Sequence, residues 1–304
     1  MSSKILVTGA SGFLGSNLID HLYNKTNFNI CALSRSFIEM PYSPTRFDLI
    51  LQDLTAPMDP SNDSILSDVQ YVIHLAGSSD VKKSLKDPIQ SFNNNVVASA
   101  NLLEYSRKHM PNLQKFIFFS TAEVFGSSIG NKKFKEENQK TPCNAYAFTK
   151  TATEEICRMY AKIYHLPLIV TYTMNVYGKN QAKHKFVPKI INKISNNEEV
   201  TLHANPEPDK RNYLHVDDVS SALEFLIRKA PPGEDYNIVS DVETNNLEIA
   251  EIIASVMGTK LKFKLKASPH HHTQSILCNS KLKNLGWKPK ISLQIGLRKF
   301  IHDR

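Results

Sequence analysis

The stretch Lys4-Ile5-Leu6-Val7-Thr8-Gly9-Ala10-Ser11-Gly12-Phe13-Leu14-Gly15 joins a short apolar run to a turn with glycine at every third position. Ile5–Thr8 predicts a buried strand, and Gly15–Leu22 predicts the helix that follows it. Small residues at 9, 12 and 15 let the backbone turn tightly, approach a ligand and pack helix against strand. The free N–H groups at the helix N-terminus suit a pyrophosphate. We therefore predict a dinucleotide site, formed by Gly9, Ser11, Gly12, Phe13, Leu14 and Gly15.

Outward from this stretch, predicted strands and helices alternate through the first half of the chain. The further strands are predicted at Asn29–Leu33, Val69–Ala76, Lys115–Ser120 and Leu168–Thr173, and the further helices at Ser91–His109 and Thr149–Tyr164. Continuous apolar strands that alternate with helices indicate an α/β fold, a doubly wound parallel sheet covered on both faces.

The composition is that of a globular protein, with 304 residues, 41% of them hydrophobic and 22% charged. No apolar run approaches the roughly 20 residues that span a bilayer, so no membrane association is expected. Met1-Ser2-Ser3-Lys4 lacks the features of a signal peptide, which predicts a cytoplasmic protein. The four cysteines have no paired spacing, and no acid or cysteine completes a site with His270-His271-His272. Reduced thiols and no metal site are expected.

The net charge of +8 is unevenly distributed, because the segment from Gly258 onward carries +10. Within it, Lys260–Lys266 alternates lysine with apolar residues, which predicts a strand with its apolar side chains inward and its lysines outward. We interpret the lysines as protection of a sheet edge; attraction of a polyanion or a phosphorylated ligand is the alternative. No aromatic residues interleave with exposed basic ones, so a nucleic acid partner is not expected.

The end of the second predicted strand bears on the choice of cofactor. It reads Leu33-Ser34-Arg35 and has no acid where a carboxylate would bind the ribose hydroxyls of NAD. A cation there suits the 2′-phosphate of NADP, so NAD(P) is expected, with NADP favoured. The alternative is that Arg35 is simply solvated.

Tyr146 and Lys150 are spaced one helical turn apart on the same face. A nearby cation favours phenolate over phenol, and such a tyrosine can accept a hydroxyl proton while hydride leaves the same carbon. The spacing alone is common on protein surfaces, but together with the glycine turn it predicts a catalytic pair.

With these motifs in place, the chain resembles the extended short-chain dehydrogenases/reductases of the nucleotide-sugar epimerase/dehydratase family, which have a Rossmann fold. The resemblance covers nearly the whole chain. It rests on the glycine turn and the Tyr–Lys pair together with His74-Leu75-Ala76-Gly77, Phe119-Ser120-Thr121, Asn175-Val176-Tyr177-Gly178, Lys185-Phe186-Val187-Pro188, Arg211–Asp218 and Leu285-Gly286-Trp287-Lys288-Pro289.

The resemblance implies a nucleotide-diphosphate sugar as substrate and adds residues to the predicted site. Further cofactor contacts would be Ser34, Arg35, Asp53, Leu54, Leu75, Ala76, Gly77, Asn95 and Ser120, and substrate contacts would be Thr121, Asn175, Lys185, Val187 and Arg211. Asp53 resembles the acid at the adenine edge, with a helix N-cap as the alternative. Arg211 would contact the diphosphate, with a surface salt bridge as the alternative. His215 and Asp217 are interpreted as a structural network, and Trp287 as a core residue.

The reaction type depends on Thr121-Ala122-Glu123. In this family, dehydratases carry Thr-Asp-Glu or Thr-Ser-Glu, whereas epimerases need no acid there. The chain keeps Thr121 and Glu123 and has Ala122 between them, so an NDP-hexose 4,6-dehydratase is our first hypothesis, with Thr121, Glu123, Tyr146 and Lys150 as the catalytic residues. The alternatives are a C4 epimerase, an NADPH-dependent 4-keto-sugar reductase, a structural role for Glu123, and a cofactor-binding regulator without activity.

Two predictions concern the whole molecule. A cofactor domain is expected over residues 1–177, with roughly 211–240 returning to it, and a substrate domain over 178–210 and 241–304. The family usually forms homodimers through two helices of each subunit, which are here the regions near Ser91–His109 and Thr149–Tyr164.

Overall fold

The computed structural model describes residues 2–37, 42–127, 133–204, 210–267 and 276–303. Its strands are β1 Lys4–Thr8, β2 Asn29–Ser34, β3 Phe47–Leu51, β4 Tyr71–His74, β5 Lys115–Phe119, β6 Lys133–Phe134, β7 Leu168–Tyr172, β8 Val176–Tyr177, β9 Val200–Ala204, β10 Arg211–Asn212, β11 Leu214–His215, β12 Asp235–Asn237, β13 Glu243–Thr244, β14 Phe263–Ala267 and β15 Ile276–Leu277.

The helices are α1 Phe13–Lys25, α2 Asp63–Leu66, α3 Val81–Lys86, α4 Pro88–Phe92, α5 Ala98–His109, α6 Ala145–Tyr164, α7 Phe186–Ser195, α8 Val216–Lys229, α9 Asn246–Val256, α10 Ser280–Leu285 and α11 Leu293–His302. Short 3₁₀ turns lie at Pro60–Asn62 and Ala122–Phe125, and a π-helical segment at Asn93–Val97 joins α4 to α5.

Seven strands form one parallel sheet in the order β12-β7-β5-β4-β1-β2-β3, which confirms the predicted doubly wound α/β class. Strand β1 is central, and the chain builds first towards β2 and β3 and then towards β4 and beyond. The carboxyl ends of β1 and β4 therefore flank the point where the strand order reverses, which is where such sheets bind ligands.

Both faces of the sheet are buried, as the continuous apolar strands predicted. Along β1, Leu6 packs into one apolar cluster while Ile5 and Val7 pack into the other, on the opposite face. Trp287 belongs to the second cluster and is a core residue, as predicted. A third apolar cluster is formed mainly by side chains of α7, α9 and α11.

Several predicted boundaries were wrong by a few residues. The predicted strand Val69–Ala76 is shorter, because only Tyr71–His74 pair with β1 and β5. The predicted helix Ser91–His109 is interrupted by the π-helical segment. The helix predicted to start at Thr149 starts at Ala145, where the side chain of Asn144 caps it.

The alternation predicted for Lys260–Lys266 was also wrong. Within the described residues, strand β14 pairs with β9 and with no other strand. Phe263 and Leu265 are 40% and 58% exposed, and the neighbouring lysines are exposed as well. Neither face of this two-stranded sheet is covered at these positions. The apolar side chains of the alternating pattern are therefore not buried.

Among these described ranges, no helix is long and apolar enough to cross a membrane. The same ranges contain no group of three or more His, Cys, Asp or Glu side chains placed to hold a metal ion. His270-His271-His272 lies outside the described residues.

Candidate active site

A cavity of about 560 Å³ opens at the carboxyl ends of the central strands. A second cavity of about 370 Å³ adjoins it and shares Gly9, Gly12, Leu75 and Gly77 with it. The glycine turn lies between the two cavities. The pair of cavities therefore forms one extended cleft at the reversal point of the sheet.

The glycine turn is shaped for a close approach of backbone and ligand. Gly9 has a φ of +68°, and a Cβ on Gly15 would lie 2.2 Å from the Gly9 carbonyl oxygen. Helix α1 begins after Gly12, which supplies no side-chain cap, so the N–H groups of its first turn remain available to a ligand. This cradle fits the pyrophosphate of a dinucleotide, the group that the sequence predicted here.

The second cavity is lined by the residues predicted for the adenosine end, including Ser34, Arg35, Asp53 and Leu54. Arg35 is exposed, and the Ser34 hydroxyl donates to the Ser11 hydroxyl at 2.9 Å. Asp53 does not cap a helix. Its carboxylate accepts from the Thr55 N–H and hydroxyl, both at 2.9 Å, and these bonds, with a smaller effect of Arg35, hold its pKa below the usual value.

Thr121, Tyr146 and Lys150 line the first cavity together, as the sequence predicted. Thr121 follows β5, whereas Tyr146 and Lys150 lie in the first two turns of α6. The Lys150 ammonium is buried and donates to the Phe119 carbonyl at 2.6 Å. The end of β5 and the start of α6 are thereby joined beside the cavity.

The ionisation of the pair differs from the sequence-based expectation. Burial and the charge of Glu123 raise the pKa of Tyr146 above its ordinary value of 10.0, although a hydrogen bond with Thr121 opposes this effect. Burial lowers the pKa of Lys150 to about 8. The net shift at Tyr146 is therefore opposite to the one expected from a nearby cation, because desolvation is the largest effect on this phenol.

Glu123 is the second residue of the 3₁₀ turn after β5, and it is not among the residues that line the cavity. One carboxylate oxygen, Oε2, accepts a hydrogen bond of 2.6 Å from the Asn144 amide. Ala122, in contrast, is fully buried and packs into the apolar core behind the site. The side chain at position 122 therefore points away from the cavity.

Ser120 lines the cavity and contacts a second, buried layer of polar residues. Its hydroxyl donates to Glu154, a fully buried carboxylate that also accepts from Tyr172 at 3.1 Å and forms an ion pair with Lys140 at 2.9 Å. These contacts fix the strand end from behind.

Asn95 was predicted to contact the cofactor, but it lines neither cavity. Its amide accepts from the Ser78 N–H at 2.6 Å and donates to the Thr149 hydroxyl at 2.8 Å. Asn95 thus holds the loop after β4 against α6. His74 acts similarly, since its buried ring bonds Thr8 at 2.7 Å and Ser99 at 2.8 Å, and burial lowers its pKa to about 3.

The predicted substrate residues are only partly brought together. Asn175, Lys185 and Val187 line the first cavity, and Asn175 has a left-handed φ of 45°. Arg211 does not line it, although its neighbour Tyr213 does. The Nε of Arg211 is buried without a hydrogen-bond partner, and the described residues give its guanidinium no salt bridge.

His215 and Asp217 form the structural network that the sequence suggested. His215 caps α8 by accepting from the Asp217 N–H at 3.2 Å, and Asp217 forms an ion pair with Lys299.

Sequence reasoning missed several polar residues that line the first cavity: Ser78, Ser79, Asp80, Lys83, Gln181 and His184. Four of them follow the carboxyl end of β4 directly, so the rule that ligands bind at strand ends could have identified that loop. Gln181 and His184 belong to a loop without a comparable signal. The Nε2 of Gln181 donates to the Val176 carbonyl at 2.7 Å, while its Oε1 is buried without a partner among the described residues.

Comparison with known proteins adds independent evidence. Residues 5–239 match the model of the NAD dependent epimerase/dehydratase family. The dTDP-D-glucose 4,6-dehydratase of Dictyostelium discoideum is 31% identical over 97% of this chain and 80% of its own length.

Two solved structures resemble the whole chain. The UDP-glucose 4-epimerase of Thermotoga maritima, solved with UDP-glucose, is 28% identical with a TM-score of 0.87 and covers 98% of this chain and 97% of its own. The dTDP-glucose 4,6-dehydratase of Bacillus anthracis, solved with NAD, is 26% identical with a TM-score of 0.85 and covers 99% and 96%. Because an epimerase and a dehydratase fit about equally well, the fold does not distinguish the two reactions, and the side chains of the site must.

Proposed function

The chain belongs to the NAD-dependent epimerase/dehydratase family, and we propose that it is a nucleotide-sugar 4,6-dehydratase. The observation that carries this proposal is the carboxylate of Glu123, which accepts a 2.6 Å hydrogen bond from Asn144, the N-cap of α6 two residues before Tyr146. An epimerase needs no acid at this point, whereas a dehydratase needs one to move the C5 proton. The dehydratase relative at 31% identity supports the same assignment.

The proposed reaction begins at C4 of the hexose. NAD(P), which the turn of Gly9, Gly12 and Gly15 would hold, would supply the hydride acceptor for C4 and the hydride donor for C6. Tyr146 takes the proton of the C4 hydroxyl, and its partner Thr121 hydrogen-bonds the C4 oxygen. Tyr146 acts in this step as the phenolate, and the buried ammonium of Lys150 at the same cavity would stabilise that negative charge until the proton is taken.

Glu123 performs the second part of the reaction. The C4 ketone acidifies the C5 proton, which Glu123 removes, and the C6 hydroxyl leaves as water with the proton that Glu123 then supplies. Hydride addition at C6 and protonation of C5 by Glu123, after it has taken up a new proton from solvent, would complete the reaction. The net change is the loss of one water. One carboxyl group serves both proton transfers, because Ala122 is buried in the core and offers no acid.

We further propose that the cofactor is NADP. In support, Arg35 is exposed at the end of β2 and lines the adenosine cavity, and the strand end has no carboxylate. The 2′-phosphate of NADP would pair with this guanidinium.

For the substrate diphosphate we propose Lys185 and Arg211. Lys185 lines the cavity and its ammonium donates only a 3.3 Å bond to the Ser79 carbonyl. Arg211 lies two residues before Tyr213, and an anion would satisfy its buried Nε, which has no hydrogen-bond partner among the described residues.

A C4 epimerase is the second candidate. It is favoured because Thr121, Tyr146 and Lys150 line the cavity whereas Glu123 does not. Those three residues alone suffice for oxidation and reduction at C4.

The protein is also proposed to act as a homodimer. Exposed apolar side chains lie on α3, α4 and α6, and α3 and α4 both pack against α6. We call these side chains the apolar stripe: Leu85, Ile89, Phe92, Phe148, Met159 and Ile163. A second copy would bury this stripe by packing the corresponding helices against it.

The function is tested by incubating the purified protein with UDP-, GDP- and dTDP-hexoses without added cofactor and following the products by mass spectrometry. A dehydratase removes one water from one of these substrates, and Glu123→Gln abolishes that loss. An isomer of unchanged mass identifies an epimerase, and turnover only of a 4-keto sugar with added NADPH identifies a reductase. Mass spectrometry of the cofactor released on denaturation distinguishes NADP from NAD.

A further inference from the structure

Asn144 connects the catalytic helix to the acid of the site through both ends of its side-chain amide. We infer that Asn144 is a positioning residue that holds Glu123 at a fixed place relative to Tyr146. This inference rests on the proposed dehydratase function, in which Glu123 moves the C5 proton.

The geometry defines which atom of the amide faces which partner. The Asn144 Oδ1 accepts from the Ala147 N–H at 2.9 Å and so caps α6, and its Nδ2 donates to the Glu123 Oε2 at 2.6 Å. Because an N–H must face an acceptor and a carboxylate must face a donor, the opposite orientation of the amide would break both bonds. The capping bond therefore directs the N–H of Asn144 at Glu123.

This contact constrains the distance between the two groups that move protons. Tyr146 lies two residues after Asn144 in the first turn of α6, a helix of 20 residues. Glu123 belongs to a different element, the 3₁₀ turn after β5, and its N–H reaches only the Thr121 hydroxyl at 3.3 Å. Without Asn144, no described residue would hold the Glu123 carboxylate by a hydrogen bond.

The contact also leaves one oxygen of Glu123 for chemistry. Oε2 is bound by Asn144, while Oε1 has no hydrogen-bond partner in the described part of the chain. The hydrogen bond to Oε2 restricts the rotation of the carboxylate and so limits where Oε1 can lie. A displacement of about 1 Å in such a group can reduce a rate roughly 100-fold.

The test uses variants that keep the cap but lose the donor. Aspartate and serine both cap helices well, so Asn144→Asp and Asn144→Ser retain the bond from Ala147 N–H. The ionised carboxylate of Asn144→Asp has no hydrogen to donate to Glu123. The shorter side chain of Asn144→Ser carries no N–H. The matched control is Asn245→Asp, the same change at the N-cap of α9, which lies outside the site.

Each variant is incubated with the nucleotide hexose that wild type dehydrates, and two products are measured. One is the dehydrated sugar, and the other is the 4-keto hexose that still carries its C6 hydroxyl, trapped with borodeuteride. We expect both Asn144 variants to remove water from the sugar roughly 100-fold more slowly than wild type, while they still form the 4-keto hexose. Only the step at C5 needs the orientation of Glu123. Thermal unfolding should stay within a few degrees of wild type.

The pH dependence gives a signature that a structural role would not produce. In Asn144→Asp, two facing carboxyl groups share a proton at lower pH, and the protonated one can donate to the other as the amide did. The rate of water loss relative to wild type should therefore recover as the pH falls in Asn144→Asp but not in Asn144→Ser.

The possible outcomes separate this inference from the proposed function. If wild type removes water from no nucleotide hexose, the dehydratase proposal fails. The proposed function holds if wild type and Asn245→Asp dehydrate the sugar and Glu123→Gln does not. If both Asn144 variants then match wild type, only the inference about Asn144 fails. If the Asn144 variants form the dehydrated sugar and the 4-keto hexose more slowly by the same factor, the effect is a general one of the helix cap. That result would also overturn the inference about Asn144.

Discussion

At the residue scale, Tyr146 and Lys150 show what sequence spacing can and cannot predict. Their separation of four residues placed both on one face of a helix, and the structure has both at the same cavity. The spacing carried no information on burial, however, and burial dominates the ionisation of both groups. The contact between Glu123 and Asn144 was equally inaccessible, because it joins two elements whose packing no local pattern encodes.

The buried ammonium of Lys150 makes the first prediction. Its pKa is about 8 in the folded protein, against 10.5 when free, so the unfolded chain binds more protons between these two values. Wild-type stability should therefore rise with pH across this window, by up to about 3 kcal/mol relative to Lys150→Met. Denaturant unfolding of both proteins between pH 7 and about 10.5 measures the difference.

Lys150→Met should also lose at least about 100-fold in activity, since the charge opposite the phenol is gone. The control is Lys162→Met, an exposed lysine on the same helix, which should follow wild type in both measurements. Identical pH profiles for wild type and Lys150→Met would show that Lys150 carries no buried charge.

The second prediction concerns position 122, where the sequence lacks the acid of some dehydratases. Ala122 is fully buried against apolar side chains, so Ala122→Asp should destabilise the fold by about 3 kcal/mol and should not accelerate water loss. Ala122→Ser is the control of similar size. A faster reaction in Ala122→Asp would mean that the side chain reaches the substrate and that the site differs from this structure.

At the element scale, the strand–turn–helix at the N-terminus was predicted most accurately. Glycine spacing and an apolar run are local signals, and β1 and α1 lie where they indicated. The π-helical segment before α5 was not predictable, because Asn95 departs from regular helix in order to bond Ser78 and Thr149, which are distant in sequence. Strand β14 was mispredicted for a related reason: its pattern implies a covered face, but among the described residues it pairs with β9 alone.

The glycine turn makes the third prediction. Gly15→Ala should destabilise the protein by about 2–4 kcal/mol, because its Cβ would lie 2.2 Å from the Gly9 carbonyl oxygen. Gly12→Ala should change stability by less than about 1 kcal/mol, since its Cβ would meet only one backbone atom, at 3.0 Å, yet it should weaken dinucleotide binding. Thermal unfolding and titration with NAD and NADP separate the two effects. Equal destabilisation by both substitutions would contradict this assignment of the glycines.

At the scale of the whole molecule, the alternation of strands and helices predicted the class of the fold. The division of the chain into a cofactor domain and a substrate domain has no such local pattern. The sheet includes β12, and α8 packs on α1, whereas α7, α9 and α11 share their own apolar cluster. The boundary at residues 177 and 178, with 211–240 returning to the cofactor domain, stays a prediction.

The fourth prediction tests the proposed dimer. Ile163→Lys should convert the protein to a monomer in sedimentation analysis, because it places a charge in the exposed apolar stripe of α6, where Ile163 is 57% exposed. Ile295→Lys introduces the same change on α11, at a side chain 62% exposed, and should leave the assembly unaltered. A monomeric wild type, or an Ile163→Lys variant that still dimerises, would refute the proposed interface.

The most direct test of the dehydratase assignment is the reaction of wild type in deuterated water with the nucleotide hexose that it accepts. In the proposed mechanism Glu123 removes the C5 proton, and C5 later receives a proton from an acid that exchanges with solvent. The product should therefore have lost one water and carry one deuteron at C5. Glu123→Gln should yield neither change. A product of unchanged composition without solvent deuterium would instead identify hydride transfer at C4 alone, and it would contradict the role assigned to Glu123.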